Sequence, residues 1–565
     1  MSRREAWLSA GAIFVLAVVV RSIAAAAVSF PVPEDTAYYA GVARNLVEGR
    51  GLVSDALWSY QTQPLVVPRA AFEVWMPLPS LLEAVPIWFA GAANWFRAAQ
   101  VVSVLSGGAV AALAWRLGAD AAAEMALPVA RARTLALGSG AAACFLGPLV
   151  VYGTFPDSTA LFAVLSLAAC LLMTRIASRP TGLADRRLIG LGIILGFAAL
   201  TRSEALWLGL AWAIVVWRLK PTRAPDAPDV PAVPDVLDAH GTAIDRRPRL
   251  ALVLLPAAVA FLVYAPWAIR DWLAFGTPLP GQTLANALSV SGFDIFAYQD
   301  PPSLAHYLAQ GPVALLDMRL AGIAHNLFDV IVIPAFPIGV IGLLVLPWTG
   351  RLVAMRTLTL TAAATFVATS LIFPVSTMWG TFLHAAGSTY VLLTVSSLIA
   401  LDALIVRIGR IRRWTRPVAW LGPAFAVAVS IALLAVSVVA VQQQSGDDRA
   451  RYDALPAALA RAGLPLAGNA PVITNNPIWL AESAHVTTLA LPEESPEAVV
   501  ALAQRFGAKL LVITLDDSRE WPGILDQGGP GSDCFRNVSL ADNSGRTPDD
   551  RSALARVRVF RVICP

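Results

Sequence analysis

Residues 33–52 read PEDTAYYAGVARNLVEGRGL and follow directly on a long apolar segment at residues 7–29. A helix needs about 20 mostly apolar residues to cross a bilayer, so the adjacent carboxylates Glu34 and Asp35 lie just beyond the end of a predicted membrane span. Apolar residues at helical spacing between Tyr38 and Val47 predict a short helix in this loop. Charged groups beside a span are costly to place and are therefore candidates for function. Taken alone, two adjacent acids are more typical of the solvated face of a loop.

The composition around this stretch is that of a polytopic membrane protein. Of 565 residues, 57% are hydrophobic and only 14% are charged, and the mean hydropathy is +0.64. Soluble domains average about 25% charged residues, so roughly half of the usual charge is missing. A nucleic-acid-binding protein and a cytosolic enzyme are therefore disfavoured, although the net charge is +4.

Eleven segments of the chain are apolar enough to be predicted as membrane spans. The fifth and sixth are short and meet at residues 201–204, so they are expected to form a tight hairpin or a partly re-entrant pair. The predicted spans are residues 7–29, 97–115, 134–152, 158–175, 188–201, 204–217, 250–273, 325–348, 357–375, 387–406 and 418–441.

The distribution of basic residues predicts the orientation of these spans, because Lys and Arg beside span ends are retained on the cytoplasmic side. With the N-terminus inside, 22 of the 42 basic residues fall in cytoplasmic segments, and residues 442–565 fall outside. Arg3 and Arg4 before an apolar core also resemble a secretory signal, but the apolar stretch is long for a cleaved one. We expect an uncleaved first span in a multi-pass protein of the plasma (inner) membrane, and the arginine bias favours a bacterial origin.

The expected fold class is an α-helical polytopic membrane protein with a small C-terminal extracytoplasmic α/β domain. Residues 1–441 form the transmembrane domain, whose first outside loop at residues 31–96 is long enough to contain interfacial helices. Residues 219–249 repeat Pro and Asp and are typical of a disordered cytoplasmic linker. Residues 442–565 form the outside domain, where helical patterns alternate with β-rich runs at residues 471–474, 486–490, 509–515 and 557–563.

Two local features of the outside domain allow specific predictions. Ser495 at the N-cap and Pro496 at the first helical position predict a helix that runs to about Phe506, before Gly507. Cys534 and Cys564 both fall outside, where oxidation is permitted, and we predict a disulfide between them. The other two cysteines lie inside apolar spans and are interpreted as packing residues.

Residues 33–52 resemble the first outside loop of the GT-C superfamily of polytopic glycosyltransferases. In particular they are similar to the PMT_2 branch (glycosyltransferase family 39-like), which includes protein O-mannosyltransferases and aminoarabinose transferases. Four further segments resemble that family in the expected order and extend the resemblance over about residues 1–440. They are residues 72–78 (FEVWMPL), 152–158 (YGTFPDS), 200–204 (LTRSE) and 264–270 (YAPWAIR), the last continuing to residues 275–278 (FGTP).

The resemblance implies transfer of a sugar from a polyprenyl-phosphate carrier to a hydroxyl of a glycan, lipid or protein acceptor at the outer face, with inversion at the anomeric carbon. Asp35 matches the acidic position of the family's first outside loop and is predicted to be the base, with Glu34 the neighbour most easily confused with it. No tightly required metal is expected, although Glu34, Asp35 and Asp157 would be its ligands in a metal-dependent branch.

Arginine suits the phosphate that leaves, because its guanidinium forms paired hydrogen bonds with phosphate oxygens. Arg202, Arg270 and Arg69 are the candidates on the outer side. An ion pair between Arg202 and Glu204 is the alternative for the first, and a membrane-interface position is the alternative for Arg270.

The remaining candidates are assigned to substrate binding, and several have a structural alternative. Asp157 would orient the acceptor or bind a metal, but an aspartate before an apolar run is equally well explained as a helix N-cap. His384 would contact the acceptor or donor, and the alternative is a histidine at the membrane interface with no role in binding. The expected substrate-binding residues are Asp157, Tyr38, Tyr39, Glu73, Glu204 and His384.

Two other functions compete with a glycosyltransferase. A transporter or flippase of lipid-linked sugars would show internal repeats with broken helices near the membrane midplane, and no convincing repeat is found. A non-catalytic relative that binds glycan through its outside domain is the second rival. The sequence has no nucleotide-binding loop, dinucleotide fingerprint or zinc-ligand spacing, so the energy for transfer would come from an activated substrate.

Overall fold

The computed structural model describes residues 2–178, 182–218, 246–280, 282–414, 418–515, 520–540 and 552–564, and most of these residues are helical. Residues 219–245, which make up most of the predicted linker, lie outside the described residues. The helices are α1 Arg3–Ala27, α2 Glu34–Val47, α3 Leu78–Ala90, α4 Trp95–Glu124, α5 Val129–Phe145, α6 Gly147–Val151, α7 Ser158–Ala177, α8 Arg186–Ala199, α9 Ala205–Trp217, α10 Arg246–Phe275, α11 Thr283–Leu288, α12 Leu304–Ala309, α13 Gly311–Ala324, α14 Ile338–Thr349, α15 Val353–Leu371, α16 Thr381–Ala385, α17 Gly387–Ile411, α18 Leu421–Arg461, α19 Pro477–Ala484, α20 Pro496–Phe506 and α21 Gly523–Asp526. The strands are β1 Val53–Ser54, β2 Ala56–Leu57, β3 Arg69–Ala70, β4 Val472–Thr474, β5 Thr488–Ala490, β6 Leu510–Thr514, β7 Phe535–Val538 and β8 Val557–Val562.

The helices are those of a multi-pass membrane protein. Within the described ranges, α1, α4, α7, α10, α17 and α18 are each long and apolar enough to cross a membrane, which gives six spans. Helices α14 and α15 make a seventh if they count as one span, and they are bent by 115° at the break between them. The other predicted spans coincide with shorter helices, so the expected total of eleven stays a prediction.

The eighth predicted span, residues 325–348, is not one continuous α-helix. Residues His325–Val332 form a π-helical segment that continues α13, and α14 begins only at Ile338. Pro334 and Pro337 lie in the gap. Proline has no backbone N–H to donate, so it interrupts the hydrogen bonds that would join the two segments. The prediction of a single helix here was wrong for that reason.

A six-stranded sheet forms the core of the C-terminal region, in the order β2-β5-β4-β6-β8-β7. Strands β2, β5, β4 and β6 are parallel, and β8 runs antiparallel to β6 and β7. Helices α19 and α20 connect the parallel strands, and every residue of β6 is buried, as expected for a strand covered on both faces. The Ser495 hydroxyl caps α20 by accepting the N–H of Ala498, and Gly507 ends it in a left-handed conformation with φ of 70°.

The sheet does not stop at the predicted domain boundary. Strand β2 belongs to the first outside loop and pairs with β5, with Ala56 opposite Thr488 and Leu57 opposite Leu489. Helix α18 also runs unbroken from Leu421 to Arg461 and passes through residue 441. The first loop and the C-terminal region therefore share one sheet, and the division into residues 1–441 and 442–565 stays a prediction.

A disulfide closes the far edge of this sheet. Cys534 and Cys564 are joined with their Cα atoms 5.0 Å apart, next to the paired residues Phe535 and Val562. Cys144 and Cys170 are free and buried among the helices.

Candidate active site

Helix α2 carries Asp35 just beyond the outer end of α1. The chain leaves α1 at Ala27, and Pro33 occupies the N-cap of α2, so that Glu34 and Asp35 lie in its first turn. The first backbone N–H groups of a helix have no partner within it and favour negative charge at this position. Trp75 lies beside Asp35 and lowers the pKa of its carboxyl group. Its side chain remains 24% exposed, so it is an accessible carboxylate on a fixed helix.

A histidine lies between the two predicted aspartates. His384 belongs to the short helix α16, and only 6% of its side chain is exposed. Its Nε2 atom lies 3.5 Å from Oδ2 of Asp35. On the other side of the ring, Nδ1 lies 2.7 Å from the Thr159 hydroxyl oxygen and 3.7 Å from Oδ2 of Asp157. The structure thus brings Asp35, His384 and Asp157 into one cluster.

Asp157 fixes the first turn of α7. As the N-cap residue, it accepts a 2.7 Å hydrogen bond from the backbone N–H of Thr159 through Oδ1. Its side chain is 0% exposed, and Oδ2 has no hydrogen-bond partner in the described part of the chain. Asp157 therefore caps α7 and also lies in the cluster, so the two positions that were alternatives for it are not exclusive. The cap places Thr159 beside His384.

Arg202 is the predicted phosphate ligand that lies near Asp35. It occupies the turn between α8 and α9, where Nε and Nη2 donate to the Glu204 carboxylate at 3.1 and 2.7 Å. Nη1 donates to the Ser158 hydroxyl at 2.8 Å, and Tyr39 lies near the same serine. The ion pair with Glu204, which was the alternative to phosphate binding, is thus formed. Arginine has five N–H groups, so two remain for a ligand.

Burial sets the protonation states of this cluster. Loss of solvation raises the pKa of Asp35 to about 6, and the attraction of Arg202 opposes that rise. Loss of solvation also raises the pKa of Asp157 to about 7, against hydrogen bonds from Thr159. Desolvation, together with the charge of Arg202, lowers the pKa of His384 to about 3. Near neutral pH, Asp35 is therefore mostly ionised, and the His384 imidazole is neutral.

Arg69 belongs to a separate group of contacts inside the first outside loop. Its guanidinium donates to the carbonyl oxygens of Ser59 and Thr62, each at 3.2 Å, and lies 3.5 Å from the carboxylate of Glu73. Side chains of Arg69 and Glu73 are each only 1% exposed. Burial raises the pKa of Glu73, against the attraction of Arg69. These contacts join residues of the first outside loop to one another.

Arg270 is held beside the same loop by the end of α10. It donates to the Ala71 carbonyl at 2.7 Å and to Asp271 at 2.9 Å, and it lies over the Trp267 ring at 4.7 Å from the centroid. Within the described residues, neither Arg270 nor Arg69 contacts Asp35. Of the three predicted phosphate ligands, Arg202 is therefore the one that the described contacts bring near Asp35, and phosphate binding by the three stays a prediction.

The two remaining loop candidates have different surroundings. Tyr38 accepts the backbone N–H of Phe72 at 2.7 Å, and its ring lies 4.2 Å from that of Trp75, so it packs against the tryptophan beside Asp35. Glu34 turns away from Asp35 and accepts the backbone N–H groups of Ile478 and Trp479 at 3.1 and 3.3 Å, at the start of α19. Glu34 thus joins the first loop to the C-terminal region.

Three uncharged site residues escaped the sequence analysis: Ser158, Thr159 and Trp75. Trp75 and Ser158 lie inside segments that carried the family resemblance, and Thr159 follows directly on one of them. A capping aspartate positions the residue two places on, so Asp157 was a signal for Thr159 that a search for charged groups overlooks. Among the described residues, no group of three or more His, Cys, Asp or Glu side chains is arranged to hold a metal ion.

Comparison with solved structures identifies the fold. No known protein-family profile and no curated protein matches the sequence. The crystal structure of ArnT from Cupriavidus metallidurans bound to undecaprenyl phosphate is similar over 99% of this chain and 98% of that chain, with a TM-score of 0.52 and 14% identity. ArnT is a glycosyltransferase of the GT-C class. The chain has the GT-C fold.

A second GT-C structure supports the same conclusion. The Archaeoglobus fulgidus oligosaccharyltransferase in complex with Zn and sulfate is similar over 89% of this chain and 68% of that chain, with a TM-score of 0.50 and 12% identity. Identities this low show that the fold is shared and give no information about the substrate. In the GT-C fold of this chain, the cluster around Asp35 lies where α1 and α8 end and α7 begins.

Proposed function

We propose that this chain is a membrane glycosyltransferase that transfers a sugar from a polyprenyl-phosphate donor to an acceptor hydroxyl at the outer face of the plasma membrane. The donor carries a single hexose or pentose, and the acceptor is a glycan, a lipid or a protein. The undecaprenyl phosphate bound to ArnT supports a donor of this class, and the resemblance of residues 33–52 supports the PMT_2 branch.

The exposure of Asp35 is the observation that carries the proposal. Of the two aspartates in the cluster, Asp35 is 24% exposed and Asp157 is 0% exposed. A base must reach the hydroxyl that it deprotonates, so Asp35 fits this role and Asp157 does not. Burial raises the pKa of Asp35 to about 6. A base with a pKa near the working pH is ionised and still accepts a proton effectively.

The transfer is a single displacement. Asp35 takes the proton of the acceptor hydroxyl while the hydroxyl oxygen forms its bond to the anomeric carbon of the sugar. The bond between that carbon and the phosphate oxygen breaks, and its electrons leave with the polyprenyl phosphate. Attack from the face opposite the phosphate inverts the anomeric carbon. In this proposal the two remaining N–H groups of Arg202 donate to the phosphate and stabilise the charge that develops on it.

A transfer assay on the full chain in liposomes tests this proposal. Polyprenyl-phosphate hexoses and pentoses are supplied with acceptor, and release of polyprenyl phosphate and formation of glycosylated acceptor are both followed. We expect Asp35→Asn to lower the rate by roughly 10² to 10⁴, the usual contribution of a general base. Asp453→Asn is the matched control, because Asp453 is 68% exposed on α18 and distant in sequence from the cluster.

Three results would contradict the proposal. Full activity of Asp35→Asn together with loss of activity in Glu34→Gln would show that Asp35 is not the base. Movement of the intact donor across the bilayer without cleavage would indicate a transporter. Failure of the wild type to cleave any supplied donor would remove the enzymatic function.

A further inference from the structure

His384 has no role in the displacement, yet its ring is fixed from several sides. Gly380 precedes α16 with φ of 96°, and a Cβ atom at that position would lie 3.1 Å from both Cδ2 and Nε2 of the imidazole. The Tyr152 ring packs edge-on, 6.4 Å from the imidazole centroid. The backbone of Gly380 thus lies directly against the ring, and Tyr152 lies at its edge. A histidine that merely filled space would not need its ring held so closely beside a carboxylate.

The hydroxyl of Thr159 faces Nδ1 of that ring. The two atoms lie 2.7 Å apart, which is a full hydrogen bond, whereas Nε2 faces Asp35 at 3.5 Å. Thr159 cannot rotate away with its helix, because Asp157 holds its backbone N–H at 2.7 Å. A hydroxyl can donate or accept, so it suits either tautomer of the ring.

The charge on Asp35 selects between the two tautomers. A neutral imidazole has one N–H and one lone pair. If the lone pair were on Nε2, it would face an ionised carboxylate, and the two would repel each other. If the N–H is on Nε2, it is directed at the carboxylate, and Nδ1 accepts from Thr159. Catalytic hydrogen bonds are often long before substrate binds, so a distance of 3.5 Å is compatible with this contact.

We propose that His384 is a positioning residue for the base: Thr159 holds its imidazole in the Nε2–H tautomer, and Nε2–H is directed at the carboxylate of Asp35. This inference rests on the proposed function for its consequence in catalysis. The hydrogen bond favours the ionised form of Asp35 and restrains the rotation of its side chain. No proton is transferred to His384 in this role.

Several groups besides His384 act on Asp35, and a test must separate their effects. From its own helix Asp35 faces Tyr39, from the turn after α8 it faces Arg202, and Trp75 lies beside it. Asp157 interacts with it from the start of α7. A change at Thr159 leaves all of these side chains in place, and Thr159 contacts His384 and Asp157 but does not itself act on Asp35.

The first experiment measures the tautomer of His384 by a method that does not depend on enzymatic activity. The full chain is labelled with ¹⁵N-histidine and studied by solid-state NMR in bilayers, where five histidines give few signals and His384→Gln assigns one of them. We expect a protonated Nε2 and an unprotonated Nδ1 in the wild type. Without the Thr159 hydroxyl, the Nδ1 lone pair has no donor and faces Oδ2 of Asp157 at 3.7 Å, so Thr159→Val should weaken this preference, and Thr159→Ser should keep it. Protonation of Nδ1 alone, or of both nitrogens, at neutral pH would overturn the inference.

The second experiment measures the consequence in catalysis. Loss of a hydrogen bond to the ionised form raises the pKa of a carboxylic acid. The acidic limb of kcat/KM should therefore shift upward by about one pH unit in Thr159→Val, and Thr159→Ser should restore the wild-type midpoint. An unshifted limb in Thr159→Val would contradict the positioning role. A wild type that cleaves no donor but shows protonated Nε2 would contradict the proposed function and support the tautomer assignment.

Discussion

The exposed fraction of a side chain separates residues of the same type at this site. Asp35 is partly exposed and Asp157 is fully buried, although they share one histidine. Arg202 keeps two N–H groups for a ligand, whereas Arg69 is 1% exposed and directed at carbonyl oxygens. Charge in an apolar chain was enough to select these residues from the sequence. Their separation into two groups depends on how the first outside loop, residues 31–96, folds, which the spacing of residues alone does not encode.

The ionisation of Asp35 predicts the pH dependence of transfer. Asp35 acts as a base only when ionised, and burial raises its pKa to about 6. We expect kcat/KM of the wild type to be level above about pH 7 and to fall tenfold per unit below about pH 6. A steady-state profile from roughly pH 4.5 to 8 measures this. A profile that stays flat down to pH 5 would show that Asp35 is not the titrating base.

Gly380 is predicted to be needed for the position of His384. Gly380→Ala places a Cβ in a backbone conformation with φ of 96° and 3.1 Å from the imidazole, so the ring must shift from its present position beside Asp35. Small displacements in active sites cost up to about 10² in rate, and we expect a loss between tenfold and that value. Gly209→Ala is the control, because nothing lies within 4 Å of its added Cβ. Equal rates for both variants would contradict the prediction.

Among the secondary-structure elements, those governed by local signals agree with the sequence. Helix α20 begins and ends at the predicted residues because Ser495, Pro496 and Gly507 act on their own backbone. The strands β4, β5, β6 and β8 fall within the predicted β-rich runs. The break in the eighth predicted span was missed because mean hydropathy does not show that Pro334 and Pro337 divide it. Pairing of β2 with β5 was also missed, since two residues carry too little pattern.

The contact between α2 and α19 is predicted to stabilise the helix that carries Asp35. Arg44 and Glu482 form an ion pair at 3.0 Å with 4% and 7% of their side chains exposed. Burial raises the pKa of Glu482 to about 7, against the attraction of Arg44. Removing one partner of a buried pair costs about 3–5 kcal/mol, so Arg44→Ala should lower both the midpoint of thermal unfolding and the rate of transfer.

Arg449→Ala is the matched control for this prediction. Arg449 pairs with Asp453 at 3.4 Å, but their side chains are 57% and 68% exposed. Exposed pairs contribute about 0–1 kcal/mol, so the midpoint should hardly change. Similar midpoints for Arg44→Ala and Arg449→Ala, measured in the same detergent, would mean that the buried pair does not secure α2.

In the whole molecule, the C-terminal region packs against the first outside loop and shares a sheet with it. Strand β2 lies at the edge of the C-terminal sheet, Glu34 accepts two N–H groups at the start of α19, and the Tyr60 hydroxyl donates to the Ala490 carbonyl at 2.5 Å. Glu494 accepts backbone N–H groups from the loop that precedes α12, at Tyr298, Gln299 and Asp300. The sequence predicted this region as a separate domain because composition changes after residue 441, and composition does not record which sheet a distant strand joins.

Cysteine cross-linking measures this arrangement directly. Ala56 and Thr488 are opposite residues of neighbouring strands, a spacing that a disulfide can bridge. We expect Ala56→Cys combined with Thr488→Cys to cross-link in the full chain, with the bridged peptide identified by mass spectrometry. Ala56→Cys alone is the control and should give a free thiol. Free thiols at both positions under oxidising conditions would separate the loop from the sheet.

The most direct test of the account is a structure of the full chain in nanodiscs with a polyprenyl phosphate, determined by electron cryomicroscopy. The account predicts density for the phosphate within hydrogen-bond reach of Arg202, on the side of the guanidinium that faces Asp35. Density against Arg69 or Arg270, or a phosphate bound at the opposite face of the membrane, would contradict it.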